Sequence, residues 1–344
     1  MSDDNQRQQP GDAPDAGWAP DILGAGFTAR TIDLGPDPDG ETDVVATVVR
    51  HAPDGADAPG FAARDAVLLI HGMSDYFFQD HVAARLHAAG YACYAVDLRK
   101  CGRSHRPGQT RHHVTELSHY DADLDAAVDL VLAAGHPRVV PLGHSTGGLI
   151  LGLWLDRVRR LAPDRHTRIP GAVFNSPWLE LPFTGPRLPL TKAVTAIMAR
   201  LRPDMWTPDK GLPAYGDSIH VSRHGDWDFD LGHKPLAGFE KRFSWLDAVR
   251  RAQRRLHRGV EAGVPCLVLH SDASRLNAPY APATDTSDAV LVVDHIVRWA
   301  PKLGSDVELV AVPGARHDVY LSREHAREQA LRLTLSFLDR VTAG

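Results

Sequence analysis

The feature that most constrains the fold of this chain is a glycine-rich turn around one serine, Gly143-His144-Ser145-Thr146-Gly147-Gly148. It lies between an apolar run typical of a strand, residues 139–142, and a segment with helical spacing that begins at Leu149. A strand that turns this abruptly into a helix forces its central residue into a strained backbone conformation, and side chains two positions away on either side would collide. This setting for G-x-S-x-G predicts a serine hydroxyl at the carboxyl edge of a sheet, beside a helix N-terminus that stabilises developing negative charge.

The order of predicted elements indicates an α/β protein. From residue 66 onward, short apolar strands alternate with longer helical segments, a pattern typical of a mostly parallel sheet with helices on both faces. Before that point, β-branched runs separated by Pro, Asp and Gly turns predict antiparallel strands. The alternation breaks and later resumes, which favours one interrupted domain. We therefore predict a disordered tail over 1–21, an α/β core over 22–180 and 261–344, and an insertion over 181–260.

Composition excludes several classes of protein and ligand. With 344 residues, 43% of them hydrophobic, the chain can bury a sizeable core, and its net charge of −5 gives no sign of a nucleic-acid surface. No apolar run approaches the roughly 20 residues of a membrane span, and the acidic start does not resemble a signal peptide. Three cysteines are too few for a disulfide scaffold. Metal-binding spacings and a glycine-rich nucleotide loop are absent, so we expect a cytoplasmic protein without a metal or cofactor.

A serine nucleophile needs a base, and the base needs an acid that orients it. In chains with this type of turn, the order along the sequence is serine, acid and then histidine. His317 follows the last predicted strand and precedes the closing helix, so a loop at the carboxyl end of that strand can bring it over Ser145. We therefore predict His317 as the base, in preference to His270 in a strand and His325 in a helix.

The loop after the predicted strand at 264–270 supplies the candidate acids. Asp288 directly precedes a predicted helix over 289–300, which leaves one helix and one strand between the acid and His317, a regular step of an α/β fold, and we favour it. Asp272 comes soonest after the strand and stays as the alternative acid. The same part of the chain also carries Asp285 and Asp294. An aspartate directly before a helix commonly serves as its N-cap, and Asp288 also suits that structural role.

A second glycine turn, His71-Gly72-Met73-Ser74, follows the first predicted strand of the parallel region. In this arrangement the backbone N–H groups of Met73 and Thr146 are the natural pair to bind the oxyanion of a tetrahedral intermediate.

Four blocks of the sequence resemble the α/β-hydrolase superfamily, and within it the monoacylglycerol lipase, lysophospholipase and serine aminopeptidase-like group. In the family's order, over about residues 66–344, they are His71-Gly72-Met73, 97–104, Gly143–Gly148 and Gly314–Asp318. The resemblance implies an α/β-hydrolase fold with a cap inserted over the active site, and 181–260 occupies the position of that cap.

The chain departs from the family pattern at two places. In the block that resembles D-x-R-G-x-G-x-S, Lys100 stands where a glycine is expected. After 264–270 the G-x-x-D pattern is absent, and Ser274 stands where the acid normally falls. An insertion running to Ser287 would restore Asp288 to the acid's place.

The predicted cap contains one helix with apolar residues at helical spacing. Its apolar side chains could line an acyl-chain pocket, although packing of the cap onto the core is the interpretation we favour for each of them. The residues concerned are Met198, Leu201, Met205 and Trp206.

These features predict a serine hydrolase that cleaves a small-molecule, lipid-like carboxylic ester, of the monoacylglycerol or lysophospholipid type, through an acyl-enzyme on Ser145. One alternative is a serine aminopeptidase, which would need a cap acid to hold an α-ammonium group. Another is a non-catalytic ligand receptor on the same fold. The cap acids available to an aminopeptidase are Asp226, Asp228, Asp230 and Glu240.

Overall fold

A single sheet of nine strands organises the part of the chain described by the computed structural model, residues 17–208 and 211–343. In chain order the strands are β1 (Ala19–Pro20), β2 (Phe27–Asp33), β3 (Val45–His51), β4 (Ala66–Ile70), β5 (Ala92–Asp97), β6 (Val139–His144), β7 (Ala172–Asn175), β8 (Cys266–Ser271) and β9 (Val307–Val312). Across the sheet their order is β1-β2-β3-β5-β4-β6-β7-β8-β9. Neighbouring strands in the part β1-β2-β3-β5 run antiparallel, and neighbouring strands in the part β5-β4-β6-β7-β8-β9 run parallel.

Helices cover both faces of this sheet. In chain order they are α1 (Asp80–Ala88), α2 (Asp121–Ala133), α3 (Thr146–Leu161), α4 (Pro163–His166), α5 (Arg187–Leu201), α6 (Pro213–Ile219), α7 (Phe243–His257), α8 (Val293–Trp299) and α9 (Glu324–Thr342). The apolar faces of α1 and α9 share one buried cluster, and those of α2, α3, α7 and α8 share the other. Buried on both sides, β4 is apolar throughout, as expected for a central parallel strand. The predicted α/β fold with a mostly parallel sheet is confirmed.

Two predicted boundaries differ from the structure. Residues 1–16 of the predicted tail lie outside the described residues, but the tail does not extend to residue 21. Ala19–Pro20 pairs with β2, and the buried Asp21 carboxylate accepts hydrogen bonds from Arg103. Composition alone missed this because one short strand and one ion pair are enough to fix a polar segment. The helix predicted over 289–300 begins only at Val293.

The segment predicted as an inserted cap, 181–260, lies between β7 and β8 and contains α5, α6 and α7. Val249 and Leu256 of α7 are buried in the same cluster as Leu153 of α3, so α7 joins the segment to the core. By contrast, α5 packs against α7 and buries Thr195 alone among its own residues. None of the described helices is both long enough and apolar enough to span a membrane.

Lys100, where the family pattern has a glycine, adopts a left-handed backbone conformation with φ of 62°. That conformation explains the family preference, since glycine adopts positive φ without strain. The lysine side chain is fully buried, and its Nζ lies 2.7 Å from Asp37 Oδ2 and 3.0 Å from Glu41 Oε2. These ion pairs join the β2–β3 connection to the turn after β5, which is an interaction that glycine could not supply.

The two carboxylates partnered by Lys100 have lowered pKa values. Burial alone would raise the pKa of Asp37, but the hydrogen bond from Lys100, with smaller contributions from backbone N–H groups, holds it below 3.8. Burial acts in the same way on Glu41, and hydrogen bonds from Thr110 and Lys100 hold its pKa below 4.5. Both groups therefore stabilise the folded protein in their charged form.

Replacing Lys100 with Met should lower the free energy of unfolding by about 3–5 kcal/mol at neutral pH, because it leaves the buried carboxylate of Asp37 and the partly buried one of Glu41 without their cation. A depressed folded pKa contributes stability that is present above the unfolded value and is lost as pH falls through the folded value. The difference between wild type and variant should therefore shrink as pH falls below 4.5 and 3.8, the ordinary values of Glu41 and Asp37.

Urea unfolding at neutral and acidic pH measures this difference. Lys302→Met is the matched control, since Lys302 is exposed and its replacement should change stability by no more than about 0.5 kcal/mol. A loss for Lys100→Met that is the same at both pH values would contradict the role of the ion pairs.

Candidate active site

The serine turn is as strained as its sequence predicts. Ser145 sits between the end of β6 and the start of α3 with φ of 53° and ψ of −116°. A Cβ added at Gly143 would lie 2.8 Å from the carbonyl oxygen of Gly147, and one added at Gly147 would lie 2.4 Å from the carbonyl oxygen of His71. Side chains at these positions would therefore force the turn apart. The glycines allow the backbone to hold Ser145 Oγ at the carboxyl edge of the sheet.

The structure brings Ser145, His317 and Asp288 together. His317 lies on the loop after β9, and its Nε2 is 2.9 Å from Ser145 Oγ. Its other ring nitrogen, Nδ1, is 2.9 Å from Asp288 Oδ2. All three residues are buried. A carboxylate accepts the Nδ1–H proton, which leaves the Nε2 lone pair facing the serine hydroxyl.

Asp288 is itself held in a fixed orientation. Its second carboxylate oxygen, Oδ1, accepts hydrogen bonds from the backbone N–H groups of Val290 (2.8 Å) and Leu291 (2.7 Å). These bonds leave Oδ2 for the imidazole. Asp288 also forms an isolated parallel bridge with Ser274, the residue at the family's usual acid position. The residues between Ser274 and Asp288 thus form a loop that leaves the end of β8 and returns to a position beside its own start.

The other candidate acids have different partners. Asp272 is exposed, and its Oδ1 accepts a hydrogen bond of 2.9 Å from the backbone N–H of Gly314. Asp285 pairs with Arg316 and Arg323. Of the two acids weighed from sequence, the structure therefore brings Asp288 and not Asp272 to His317.

Met73 and Thr146 line the same small cavity beside the serine turn. The loop that carries Met73 passes close to the nucleophile, since a Cβ added at Gly72 would lie 3.0 Å from Ser145 Cβ. Thr146 is the first residue of α3, so its backbone N–H belongs to the unpaired N-terminal turn of a helix. This placement suits two backbone donors that converge on an oxyanion.

A second set of buried polar groups lies behind the histidine, and sequence analysis did not identify it. His144 packs against the ring of His317, with ring centroids 4.8 Å apart, and its Nδ1 lies 3.1 Å from the carbonyl oxygen of Asn175. Burial lowers the pKa of the His144 ring to about 4. Asp318 accepts hydrogen bonds from Asn175 Nδ2 at 2.7 Å and from Gln79 Nε2 at 3.1 Å.

These contacts fix the loop that carries His317. Asn175 also accepts a hydrogen bond from the backbone N–H of Val319 through Oδ1, so one side chain at the end of β7 contacts both sides of Asp318. Burial would raise the pKa of Asp318, but the neighbouring His144 and the donated hydrogen bonds hold it below 3.8. The position of Asp318 directly after the candidate histidine was the one signal that could have identified this network.

A pocket with about 590 Å³ of empty space, part of it open to solvent, contains Ser145 and His317. The segment 181–260 supplies much of its wall. Apolar side chains on this wall include Leu212, Tyr215, Ile219, Phe229, Leu236 and, from the core, Val290. The pocket is therefore able to enclose an apolar group next to the serine.

The charged side chains of the pocket wall are Asp75, Lys234 and Lys241. Lys234 Nζ lies 2.7 Å from Asp75 Oδ1, and both side chains are buried. The same ammonium lies 5.5–5.9 Å from the ring centroids of Phe78, Tyr215 and Phe229. Asp75 is thus paired with an ammonium group that is itself surrounded by aromatic rings.

The cap residues predicted as functional are placed elsewhere. Of the cap acids, Asp226 pairs with Arg323, Asp228 has a side chain that is 88% exposed, and Asp230 accepts the backbone N–H of Gly232. Glu240 is exposed. None of the four is among the residues that line the described pocket.

The interpretation of the apolar cap residues was wrong for three of them. Leu201, Met205 and Trp206 are exposed, so they neither line the pocket nor pack against the core. Helical spacing identifies residues that share a face, but it does not say what that face contacts. In the segment 181–260 this face is exposed to solvent.

Cysteine thiols and metal-ligating side chains are the other groups that could carry chemistry. Cys101 is buried, and burial raises the pKa of its thiol. Within residues 17–208 and 211–343, no cluster of His, Cys, Asp or Glu is arranged to hold a metal ion.

Comparison with known proteins identifies the family. The family model described as serine aminopeptidase, S33 (Hydrolase_4) matches residues 62–324. A monoacylglycerol lipase of Mycolicibacterium smegmatis is 28% identical over 273 residues, which cover 76% of this chain and 84% of that protein.

Two solved structures share the fold at lower identity. The monoacylglycerol lipase of Paleococcus ferrophilus superposes with a TM-score of 0.61 at 18% identity, over 91% of this chain and 99% of that one. A soluble variant of monoglyceride lipase from Saccharomyces cerevisiae, in complex with a substrate analogue, has a TM-score of 0.61 at 20% identity over 92% of both chains. The resemblance found in the sequence is confirmed: the chain belongs to the serine aminopeptidase S33 (Hydrolase_4) family and is an α/β hydrolase.

Proposed function

We propose that this hydrolase cleaves carboxylic esters by nucleophilic catalysis, with Ser145 as the nucleophile, His317 as the general base and Asp288 as the orienting acid. The observation that carries the proposal is the pair of 2.9 Å contacts that join Ser145 to His317 and His317 to Asp288. Apart from the match to the S33 family, the proposed mechanism rests on these two distances and not on the names of relatives.

In the acylation step, Ser145 Oγ attacks the carbonyl carbon of the ester while His317 Nε2 takes the hydroxyl proton. The negative charge on the carbonyl oxygen is stabilised by the backbone N–H groups of Met73 and Thr146. Collapse of the tetrahedral intermediate breaks the C–O bond, and His317 gives its proton to the departing alcohol. Asp288 stabilises the imidazolium that exists between these two proton transfers.

In the deacylation step, water attacks the acyl-enzyme and His317 takes a proton from it. Collapse of the second tetrahedral intermediate breaks the bond between its carbon and Ser145 Oγ, and His317 returns the proton to that oxygen as the carboxylic acid leaves. The same oxyanion donors serve both steps, because the carbonyl oxygen stays in place.

We further propose that the substrate is lipid-like, of the monoacylglycerol or lysophospholipid type. Two observations support this substrate class. The pocket wall is rich in apolar side chains, and the relative from Mycolicibacterium smegmatis bears the name monoacylglycerol lipase.

Aminopeptidase activity has less support from the same pocket. A substrate α-ammonium group would need a carboxylate within reach of the scissile bond. Asp75 is the carboxylate on the described pocket wall, and Lys234 engages it at 2.7 Å. The non-catalytic receptor hypothesis has no specific observation in its favour.

Ser145→Ala should lower ester turnover by about 10³-fold or more while leaving the thermal unfolding temperature nearly unchanged, because it removes the nucleophile and little packing. Turnover of p-nitrophenyl butyrate measures the loss. A fluorophosphonate probe should label the wild type and not this variant. Ser118→Ala is the control at an exposed serine and should be labelled like the wild type. Retention of most activity in Ser145→Ala would refute the serine mechanism, and a wild type that is never labelled would favour a receptor.

Asp288→Asn should lower turnover by up to about 10⁴-fold with the fold intact. In the variant, the backbone N–H groups of Val290 and Leu291 keep the amide oxygen, so the NH₂ group faces His317 Nδ1. That contact favours the tautomer with a proton on Nε2, which cannot accept the serine proton.

Asp272→Asn is the matched control for this substitution. It alters only a hydrogen bond to the backbone of Gly314, so its effect on turnover should be much milder. The reverse ranking of the two variants would overturn the assignment of the acid.

The purified protein should hydrolyse p-nitrophenyl esters of graded chain length and should leave aminoacyl p-nitroanilides uncleaved, because the pocket lacks a carboxylate available to an α-ammonium. Ser145→Ala sets the background rate for both substrate series. Faster cleavage of the anilides than of the esters would favour the aminopeptidase alternative.

A further inference from the structure

The candidate acid lies at the end of a loop, whereas the family's usual acid position lies near the end of a strand. Ser274 follows shortly after β8, and residues 275–287 separate it from Asp288. A displacement of about 1 Å in a catalytic contact can lower the rate about 100-fold. The returning end of this loop therefore has to be held as firmly as the end of a strand.

The backbone bridge that closes the loop is a weak anchor by itself. Its hydrogen bonds run from the N–H of Asp288 to the carbonyl oxygen of Ala273 at 2.8 Å, and from the N–H of Arg275 to that of Asp288 at 2.7 Å. Ala273 and Ser274 are exposed, and exposed backbone hydrogen bonds open more readily than those of the core. A second attachment, made by buried groups, is needed to fix the acid.

One buried arginine joins this loop to the loop that carries the candidate base. Arg316 directly precedes His317, and its side chain is fully buried. Its Nη2 donates to Oδ1 of Asp285, just before the candidate acid, at 2.9 Å. Its Nη1 donates to the carbonyl oxygen of Leu321, beyond the histidine, at 2.7 Å. The guanidinium thus closes the histidine loop and attaches the acid loop to it.

The carboxylate of Asp285 is held through both of its oxygens. Its Oδ2 accepts a hydrogen bond of 2.7 Å from Arg323 Nη2. Burial alone would raise the pKa of Asp285, but the hydrogen bonds from Arg323 and Arg316 hold it below 3.8. Arg323 also pairs at 2.6 Å with the half-exposed Asp226 of the segment 181–260. Asp285 therefore has one cation on its solvent side and one, Arg316, in the interior.

Stability alone does not account for the buried ion pair. Apolar residues of similar volume can often replace such a pair without loss of stability, because the attraction only offsets the cost of removing both charges from water. The best-attested role of buried ion pairs is to fix the relative position of two segments. Here the two segments carry the candidate acid and the candidate base.

We propose that Arg316 and Asp285 are positioning residues, whose ion pair holds the loop of the candidate acid against the loop of the candidate base. Neither of them is among the residues that line the described pocket around Ser145, so their effect on the substrate is indirect. The inference rests on the proposed function, because it presumes that the acid orients the base.

The first test is Asp285→Ala, which should lower kcat for p-nitrophenyl butyrate by about 10- to 100-fold and change KM by less than about twofold. The substitution frees the acid from its attachment and leaves the pocket wall as it is. Asp226→Ala is the matched control, because it removes the solvent-side partner of Arg323 and keeps the pair of Arg316 with Asp285. The control should have the kcat and KM of the wild type.

The second test is whether Asp285 acts through the acid. In an enzyme that already carries Asp288→Asn there is no acid left to position, so adding Asp285→Ala should lower kcat by less than about twofold. Enzymes that lack one member of a triad keep residual catalysis, so this rate is measurable at high enzyme concentration. A loss of the same factor in both backgrounds is the result expected of a merely structural role, and it would overturn the proposal.

The failure of this inference can be told apart from the failure of the proposed function. Wild-type kcat and KM in Asp285→Ala, with turnover lost in Asp288→Asn, would refute the positioning role alone. Full turnover in Asp288→Asn would refute the proposed acid and the positioning role with it. If circular dichroism shows that Asp285→Ala does not fold, Asp285→Asn replaces it in each comparison, since its amide oxygen still accepts from Arg316 and the charge alone is lost.

Discussion

The close backbone contact between two loops is the constraint on which the candidate site depends. The turn after β6 and the loop after β4 approach so closely that a Cβ at Gly147 would lie 2.4 Å from the carbonyl oxygen of His71. A Cβ at Gly72 would in turn lie 3.0 Å from Ser145 Cβ. Because no side chain separates these loops, the serine and the backbone groups of Met73 and Thr146 lie within one small region. The strained φ of Ser145 is maintained by the strand and the helix that flank it.

The segment 181–260, the predicted cap, is joined to this same region by polar contacts. The backbone N–H of Phe239 donates to Ser74 Oγ at 2.9 Å, and that of Asp230 donates to the hydroxyl oxygen of Tyr76 at 2.8 Å. Between them lies the buried ion pair of Asp75 and Lys234. Three consecutive residues after Met73 are thus bound to one cap segment. A displacement of that segment would be transmitted directly to the loop that carries Met73, the proposed oxyanion donor.

The parts of the site that depend on strand order were predictable from sequence. Parallel strands end at one edge of a sheet, so Ser145 after β6 and His317 after β9 had to lie on the same side. Counting one helix and one strand back from His317 also favoured Asp288. Properties that depend on a tertiary partner were not predictable. The spacing of Leu201 and its neighbours did not reveal that the face is exposed, and the identity of Lys100 did not reveal its buried partner Asp37.

The bridge between Ser274 and Asp288 brings together in space two residues that are well separated along the chain. The residues between them leave the end of β8 and return beside their starting point, where the backbone N–H of Arg275 donates to the carbonyl oxygen of Asp288. A closed excursion of this kind can lengthen or shorten without moving either end, since the entropic cost of a longer loop grows only slowly. The proposed acid of the site can therefore stand on either side of the bridge, at position 274 or at position 288. In related chains, an acid absent from its usual place is to be sought where the loop returns to the sheet.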